Sequence, residues 1–188
     1  DAPVGANLSK IAEALEKDVA DLVVFVLEKP RHEHLIEGIR QAGARIQLHP
    51  EGDVAGALMA IDPESEIDVM MGTGGTPEGV LSACAIRALG GEMLCRLDPQ
   101  KDGEKNALAE AGTDLERIFT AADLVASEDV FFAATGISGG TFLPGVRYSG
   151  NGARTHSLVL RGKTGTIRYI ESRHNWDKLM RFSAVKYD

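Results

Sequence analysis

The feature that most constrains the fold is an alternation of short β-branched runs with amphipathic helical segments over residues 22–97. Residues 22–27 form a continuous apolar run, which is typical of a strand covered on both faces. Further short strands are predicted at residues 45–49, 67–71 and 92–97. Because helical segments separate these strands, the pattern predicts a mostly parallel sheet with flanking helices and right-handed crossovers.

The helix boundaries in this part of the chain are predicted from capping residues. Asn7 and Asp53 are predicted N-caps. Pro30 suits the first turn of a helix, where its missing N–H costs nothing. Gly43 and Gly90 are predicted to end the helices that precede them.

The pattern changes beyond residue 97. Residues 98–112 are polar and helical in their second half, and residues 130–136 read as another buried strand. Residues 153–172 have the pattern of an antiparallel hairpin, so the sheet is expected to be mixed. The tail, residues 176–188, is weakly amphipathic.

Length and composition favour one globular α/β domain over residues 1–188. A chain of 188 residues with 44% hydrophobic and 26% charged content has enough apolar material for a core. The expected fold class is α/β, with a mixed, mostly parallel sheet and flanking helices. The sequence opens without Met, so either the true start has been removed or the chain is a piece of a longer protein.

Charge and hydropathy disfavour two classes of partner. The chain carries 20 basic and 28 acidic residues, a net charge of −8, with no Lys/Arg stripe of the kind that binds nucleic acid. No apolar run approaches the ~20 residues of a membrane span. Cys84 and Cys95 lie in apolar stretches and are expected to be reduced core thiols, which suits a cytoplasmic protein.

Three polar loops follow predicted strands, at the sheet edge where open α/β sheets bind ligands. The first contains Lys29, Pro30 and Arg31. Two cations at the start of a helix are suited to binding a phosphate. They are unfavourable next to the positive end of the helix dipole, which slightly favours a functional reason for their presence. The alternative is a solvated basic helix start.

The second loop contains Glu51, Gly52 and Asp53. Asp53 has a structural explanation as an N-cap, whereas Glu51 is not needed to cap the helix and is freer to contact a ligand. Two carboxylates separated by a glycine can accept hydrogen bonds from sugar hydroxyls or lie near a cation.

The third loop spans residues 72–79 and is rich in glycine, which lets the backbone approach a ligand closely. Pro77 breaks the sixth position of a dinucleotide-binding G-x-G-x-x-G pattern, so a nucleotide-binding domain is disfavoured. Glu78 is either a first-turn acid favoured by the helix dipole or a carboxylate presented to a metal ion.

The motifs of this chain resemble those of class II fructose-1,6-bisphosphatases, a family that includes the fructose/sedoheptulose bisphosphatases of photosynthetic bacteria. The resemblance covers the family's C-terminal part only, and it rests on motifs that occur in the family's order at residues 29–32, 50–54, 72–80, 133–137 and 160–163. It implies the C-terminal half of the lithium-sensitive sugar phosphatase fold. It also implies Mg²⁺- or Mn²⁺-dependent hydrolysis of the 1-phosphate of fructose 1,6-bisphosphate, in gluconeogenesis or the Calvin cycle.

The resemblance also implies roles for individual residues. They are substrate binding at Lys29, Pro30, Arg31, Glu51, Gly52, Asp53 and Gly75, and metal ligation at Glu78. The family usually has Asp where this chain has Glu51, and a glutamate reaches about one methylene further. No catalytic residue is assigned within this chain.

The family's remaining metal ligands lie upstream, in a D-P-[IL]-[DE]-G-T pattern that neither Asp62-Pro63 nor Asp98-Pro99 matches. A centre that activates water needs several carboxylates. The chain alone is therefore expected to provide the sugar and 6-phosphate pocket with one metal ligand and to have little or no phosphatase activity. The alternative is a stand-alone sugar-phosphate binding or regulatory module. Association into a homo-oligomer, or with the missing N-terminal half, is expected because apolar surface would be exposed.

Overall fold

The computed structural model describes residues 2–182, and these residues form seven helices and nine strands. The strands are β1 (Val23–Leu27), β2 (Arg45–His49), β3 (Val69–Met70), β4 (Leu94–Cys95), β5 (Phe119–Thr120), β6 (Phe131–Thr135), β7 (Arg147–Ser149), β8 (Gly152–Arg161) and β9 (Thr166–Asn175). The helices are α1 (Val4–Ala14), α2 (Glu33–Ala42), α3 (Asp53–Ile61), α4 (Thr76–Leu89), α5 (Asp102–Glu110), α6 (Ala121–Leu124) and α7 (Trp176–Leu179). Within the described residues, no helix combines the length and the apolar character that crossing a membrane requires.

The chain divides into two compact units, with the boundary between Ser127 and Glu128. In the first unit, a parallel sheet has the strand order β2-β1-β3, and β1 lies at its centre. All five residues of β1 are buried, as the apolar run predicted. The α/β class with its mostly parallel sheet is thereby confirmed. A single domain over residues 1–188 stays a prediction.

Helices cover this sheet through two apolar clusters. α1 and α2 pack over it with Leu8, Ile36 and Ile39, which lie in one cluster with Val24 and Val26 of β1. α3 packs closely through Gly56, because a Cβ atom there would lie 2.4 Å from the Phe25 ring. Glycine is thus required at this helix–sheet contact, since any side chain would overlap the ring.

The predicted parallel strand at residues 92–97 is wrong. Only Leu94–Cys95 forms a strand, and it pairs antiparallel with β5 in a separate two-stranded sheet. Within the described residues, β3 is therefore the last strand along the chain that joins the parallel sheet. A two-residue strand makes a short ladder, and its apolar residues gave no signal of which partner strand it would take.

The second unit is an antiparallel sheet in which β8 pairs with β6, β7 and β9. The predicted hairpin is confirmed, since β8 and β9 pair over ten residues. Phe132, Leu158 and Leu160 are buried, and the cross-strand pairs place them on one face of the sheet. The tail forms α7 at its start, and its last residues, 183–188, lie outside the described residues.

The structure corrects the predicted N-cap of the first helix and confirms two predicted helix ends. Pro3 is the N-cap of the first helix, so Asn7 lies inside that helix and does not cap it. Gly43 and Gly90 end their helices in left-handed conformations with φ of 87° and 76°. Glycine adopts that conformation without a Cβ penalty, which is why these ends were predictable.

Candidate functional site

Three loops meet at one edge of the parallel sheet because β1, β2 and β3 point the same way. Leu27, at the end of β1, pairs with His49 at the end of β2, and Phe25 pairs with Met70 at the end of β3. The loops after these strands therefore begin at the same edge. We call residues 72–75, which follow β3, the glycine loop.

The first loop carries the two predicted cations. Pro30 begins a short 3-10 turn, Pro30–His32, and α2 begins only at Glu33. Arg31 is exposed, and its Nε donates a hydrogen bond to the carbonyl oxygen of Thr73 at 2.8 Å. Its side chain is thereby anchored on the glycine loop through one of the five N–H donors of a guanidinium.

Lys29, next to Arg31 in the first loop, is half-buried. It lines an open groove of about 770 Å³ beside α2, together with Pro30, Ile36 and Leu48.

The second loop corrects a sequence prediction. Gly52, with φ of 99°, is the N-cap of α3, so Asp53 is its first helical residue and does not cap it. The Oδ1 atom of Asp53 accepts the Val54 N–H at 3.0 Å. A Cβ atom on Gly74 would lie 2.8 Å from Oδ2 of Asp53, so this carboxylate lies against the glycine loop. Glu51 is exposed.

Glu78 lies in the first turn of α4, and its carboxylate folds back towards the glycine loop. A Cβ atom on Gly75 would lie 2.2 Å from Oε2 of Glu78. A side chain at Gly75 would therefore displace that carboxylate, which is the flexible end of the Glu78 side chain. Glu78 is half-buried, which leaves part of its surface open to solvent.

Arg31, Asp53 and Glu78 thus approach three successive residues of the glycine loop, Thr73 to Gly75. This arrangement puts one cation and two carboxylates beside a largely exposed, glycine-rich segment. Such a set can bind a polyhydroxy compound that carries an anionic group, because carboxylates accept from hydroxyls while the guanidinium and backbone N–H groups donate.

Sequence reasoning missed two residues that organise this site. His32 is 2% exposed and contacts Leu27 and Thr73 through both ring nitrogens. Asp98 accepts a hydrogen bond from Oγ1 of Thr73 at 3.0 Å. His32 falls within the motif at residues 29–32, but nothing in the local sequence indicates that either residue contacts a loop distant along the chain.

The described residues do not by themselves fit a divalent metal centre. Residues 2–182 contain no group of three or more His, Cys, Asp or Glu side chains that could hold a metal ion. A cation such as Mg²⁺ prefers six oxygen ligands and usually keeps several waters, so Glu78 can serve at most as one ligand. No reaction step through a metal can be assigned to this chain.

Comparisons with known proteins connect this site to a family. A family model described as "Bacterial fructose-1,6-bisphosphatase, glpX-encoded" matches residues 1–174. The chain belongs to this family. The resemblance inferred from the loop motifs is thereby confirmed, and the matched residues include all three loops of the site.

Curated relatives in this bisphosphatase family agree with the match. The "Fructose-1,6-bisphosphatase class 2" of Haemophilus influenzae is 41% identical over 196 residues, which cover 97% of this chain and 59% of that protein. The "Fructose-1,6-bisphosphatase 1 class 2" of Escherichia coli is 41% identical over 189 residues, covering 94% of this chain and 56% of that protein. The chain therefore spans somewhat more than half the length of these relatives.

Proposed function

We propose that this chain provides the sugar and 6-phosphate pocket of a metal-dependent fructose-1,6-bisphosphatase, together with one ligand of its metal centre. The observation that carries the proposal is the convergence of Arg31, Asp53 and Glu78 on the glycine loop at the carboxyl edge of the parallel sheet. The names of the curated relatives support the same substrate.

The proposed roles follow the chemistry of each side chain. Arg31, assisted by Lys29 and the backbone at Pro30, binds the 6-phosphate, because a guanidinium forms charge-assisted hydrogen bonds with phosphate oxygens. Glu51, Gly52 and Asp53 contact the sugar, and Gly75 presents its backbone to it. Glu78 is the metal ligand.

The metal, Mg²⁺ or Mn²⁺, would polarise the 1-phosphate and activate a water molecule. Glu78 is not sufficient to bind it tightly, so the remaining ligands come from a further part of the enzyme. This chain alone is proposed to bind the substrate and to have little or no turnover. The enzyme is proposed to act in the cytoplasm.

Exposed apolar side chains support association with another chain. Phe131, Tyr148 and Phe182 are 69%, 74% and 88% exposed. Exposed apolar side chains of this size are candidates for contact with a partner. The partner is proposed to be a second copy or the part of the enzyme that holds the other metal ligands.

Calorimetry with fructose 1,6-bisphosphate, with and without Mn²⁺, tests this function. We expect binding that Mn²⁺ strengthens, and a phosphatase assay of the same sample should show almost no release of phosphate. The double variant Lys29→Glu, Arg31→Glu should abolish binding, whereas Lys10→Glu, an exposed charge reversal on α1, should leave it unchanged.

Three outcomes have distinct meanings. Robust turnover by the chain alone refutes the proposal that the other metal ligands come from a further part of the enzyme. Binding that is indifferent to Mn²⁺, with no activity after the rest of a family member is added in trans, favours a stand-alone sugar-phosphate binding module. No binding of the sugar bisphosphate refutes the pocket itself.

A further inference from the structure

His32 is the most deeply buried polar residue near the site, and it joins two of its loops. Its side chain is 2% exposed. Nδ1 lies 2.8 Å from the carbonyl oxygen of Leu27, at the end of β1. Nε2 lies 2.8 Å from the backbone nitrogen of Thr73, in the glycine loop.

The hydrogen bonds around the ring indicate one tautomer. The Thr73 N–H can only donate, so Nε2 accepts and the ring proton is on Nδ1, which donates to Leu27. Nε2 also lies 3.1 Å from the Thr73 carbonyl oxygen. That oxygen already accepts a hydrogen bond from Arg31 and needs no second donor.

The opposite tautomer would replace the two hydrogen bonds of the ring with unfavourable contacts. A proton on Nε2 would face the Thr73 N–H, and the lone pair of Nδ1 would face the Leu27 oxygen across 2.8 Å. Donor–donor and acceptor–acceptor contacts at buried groups are destabilising, because neither pair can form its hydrogen bond. The neutral ring with its proton on Nδ1 is therefore the form that this packing selects.

The ring also makes close contact with the glycine loop next to Thr73. A Cβ atom on Gly72 would lie 3.1 Å from Cε1 of His32, and Gly72 has φ of 153°. The loop therefore rests on one side of the imidazole at residues 72 and 73. The next two residues, 74 and 75, lie beside the carboxylates of Asp53 and Glu78.

We propose that His32, as the neutral Nδ1–H tautomer, is a positioning residue that fastens the glycine loop to the end of β1 and so sets the geometry of the sugar-phosphate pocket. His32 does not touch the substrate in this scheme. It acts through Thr73, and the consequence for binding rests on the proposed function above.

Two substitutions separate the two hydrogen bonds of the ring. The amide of His32→Asn reaches the position of Nδ1. This variant therefore keeps the hydrogen bond to Leu27 and loses the hydrogen bond from the Thr73 N–H. The amide of His32→Gln reaches the position of Nε2, so its oxygen can accept the Thr73 N–H. Leu27 is not left without a partner in that variant, because its oxygen also accepts the Lys29 N–H at 2.9 Å.

The tautomer is tested by NMR on the ¹⁵N-labelled chain. We expect the long-range nitrogen–proton correlations of a neutral ring protonated on Nδ1, and a scalar coupling between Thr73 N and His32 Nε2 across the hydrogen bond. A ring protonated on Nε2, or on both nitrogens, overturns the proposal.

The positioning role is tested on the two variants. We expect the Thr73 amide of His32→Asn to lose its protection from hydrogen exchange and the Kd for fructose 1,6-bisphosphate to rise about tenfold. His32→Gln should stay close to the unsubstituted chain in both measurements. If His32 only fills space, both variants lose stability to urea but bind the sugar bisphosphate alike, which refutes the positioning role.

The failure of the proposed function is distinguishable from the failure of this inference. If the unsubstituted chain does not bind fructose 1,6-bisphosphate, the proposed function is refuted, while the exchange rate of the Thr73 amide still decides the role of His32. If Thr73 remains protected in His32→Asn, the histidine does not hold the loop, whatever the chain binds.

Discussion

Arg31 donates from Nε to the carbonyl oxygen of Thr73 at 2.8 Å, which links the loop after β1 to the glycine loop after β3. The two residues are 42 positions apart in the sequence. A guanidinium offers five donors in a planar fork, so the Nε–H can hold the loop while the remaining donors face an anion. Arg31 thereby has two tasks in the proposed pocket.

Arg31→Lys separates the charge of this residue from its shape. Lysine keeps the cation but loses the planar fork, so it cannot hold Thr73 and grip a phosphate bidentately at once. We expect about tenfold weaker binding of fructose 1,6-bisphosphate by calorimetry. Arg168→Lys, the same change at an exposed position of β9, is the matched control. Equal affinity in all three proteins would show that only the charge of Arg31 matters.

Gly56→Ala tests the contact between α3 and β1. Alanine is the better helix former, but its Cβ atom would lie 2.4 Å from the Phe25 ring. We expect a net loss of about 1–3 kcal/mol in the free energy of unfolding, because overpacking outweighs the gain in helix propensity. Urea denaturation measures it.

The matched control for Gly56 is Gly103→Ala in α5, where a Cβ atom meets nothing within 4 Å. There the same change should leave stability unchanged or raise it by up to about 1 kcal/mol. Equal effects at the two glycines would mean that α3 can move away from Phe25 at little cost.

Asp68 supports the start of β1. Its Oδ2 accepts the Val23 N–H at 2.9 Å, and its Oδ1 accepts from Lys17. Asp68→Ala should cost about 1–3 kcal/mol in the free energy of unfolding, because it leaves the N–H of the buried Val23 without that acceptor.

Lys17→Ala should cost less than about 1 kcal/mol, because the Lys17 side chain is 44% exposed and water replaces the ion pair. Thermal or urea unfolding of the two variants compares the costs. A larger loss from Lys17 than from Asp68 would show that the ion pair, and not the bond to the backbone, is the important interaction.

Cys95 is expected to be an unreactive thiol. Burial raises its pKa, and the nearby carboxylate of Asp123 raises it further. Asp123 stays ionised because hydrogen bonds from Thr120 lower the pKa of its carboxyl group. Alkylation of a Cys84→Ser variant as a function of pH should give an apparent pKa above the usual ~8.5 of a cysteine thiol, and Asp123→Asn should lower it.

The sign of the linked stability effect follows from the same shift. The folded thiol keeps its proton to higher pH than the unfolded thiol, so stability is lost as the pH rises through the raised pKa. Cys95→Ser removes this titration and should flatten the alkaline part of the stability profile. An apparent pKa below the usual value, or an unchanged profile, would contradict the assignment.

Much of the first unit could be predicted because local signals agreed with the tertiary structure. The apolar run before Glu28 became the buried central strand, and Gly43 and Gly90 ended their helices in left-handed conformations. The prediction of a parallel strand at β4 was wrong because a two-residue strand has too little sequence to indicate its partner. The N-cap of α3 was one residue off, because Gly52 and Asp53 are both favoured at that position.

The sequence by itself determined the α/β class, the order of the polar loops and the family, because these depend on local periodicity and on motifs in a fixed order. Only the tertiary structure decided that Arg31, Asp53 and Glu78 approach the same glycine loop and that His32 holds it. These contacts join residues that are separated along the chain and meet because parallel strands end at one edge. The direction of a side chain at such an edge depends on neighbours from other loops, which no local pattern encodes.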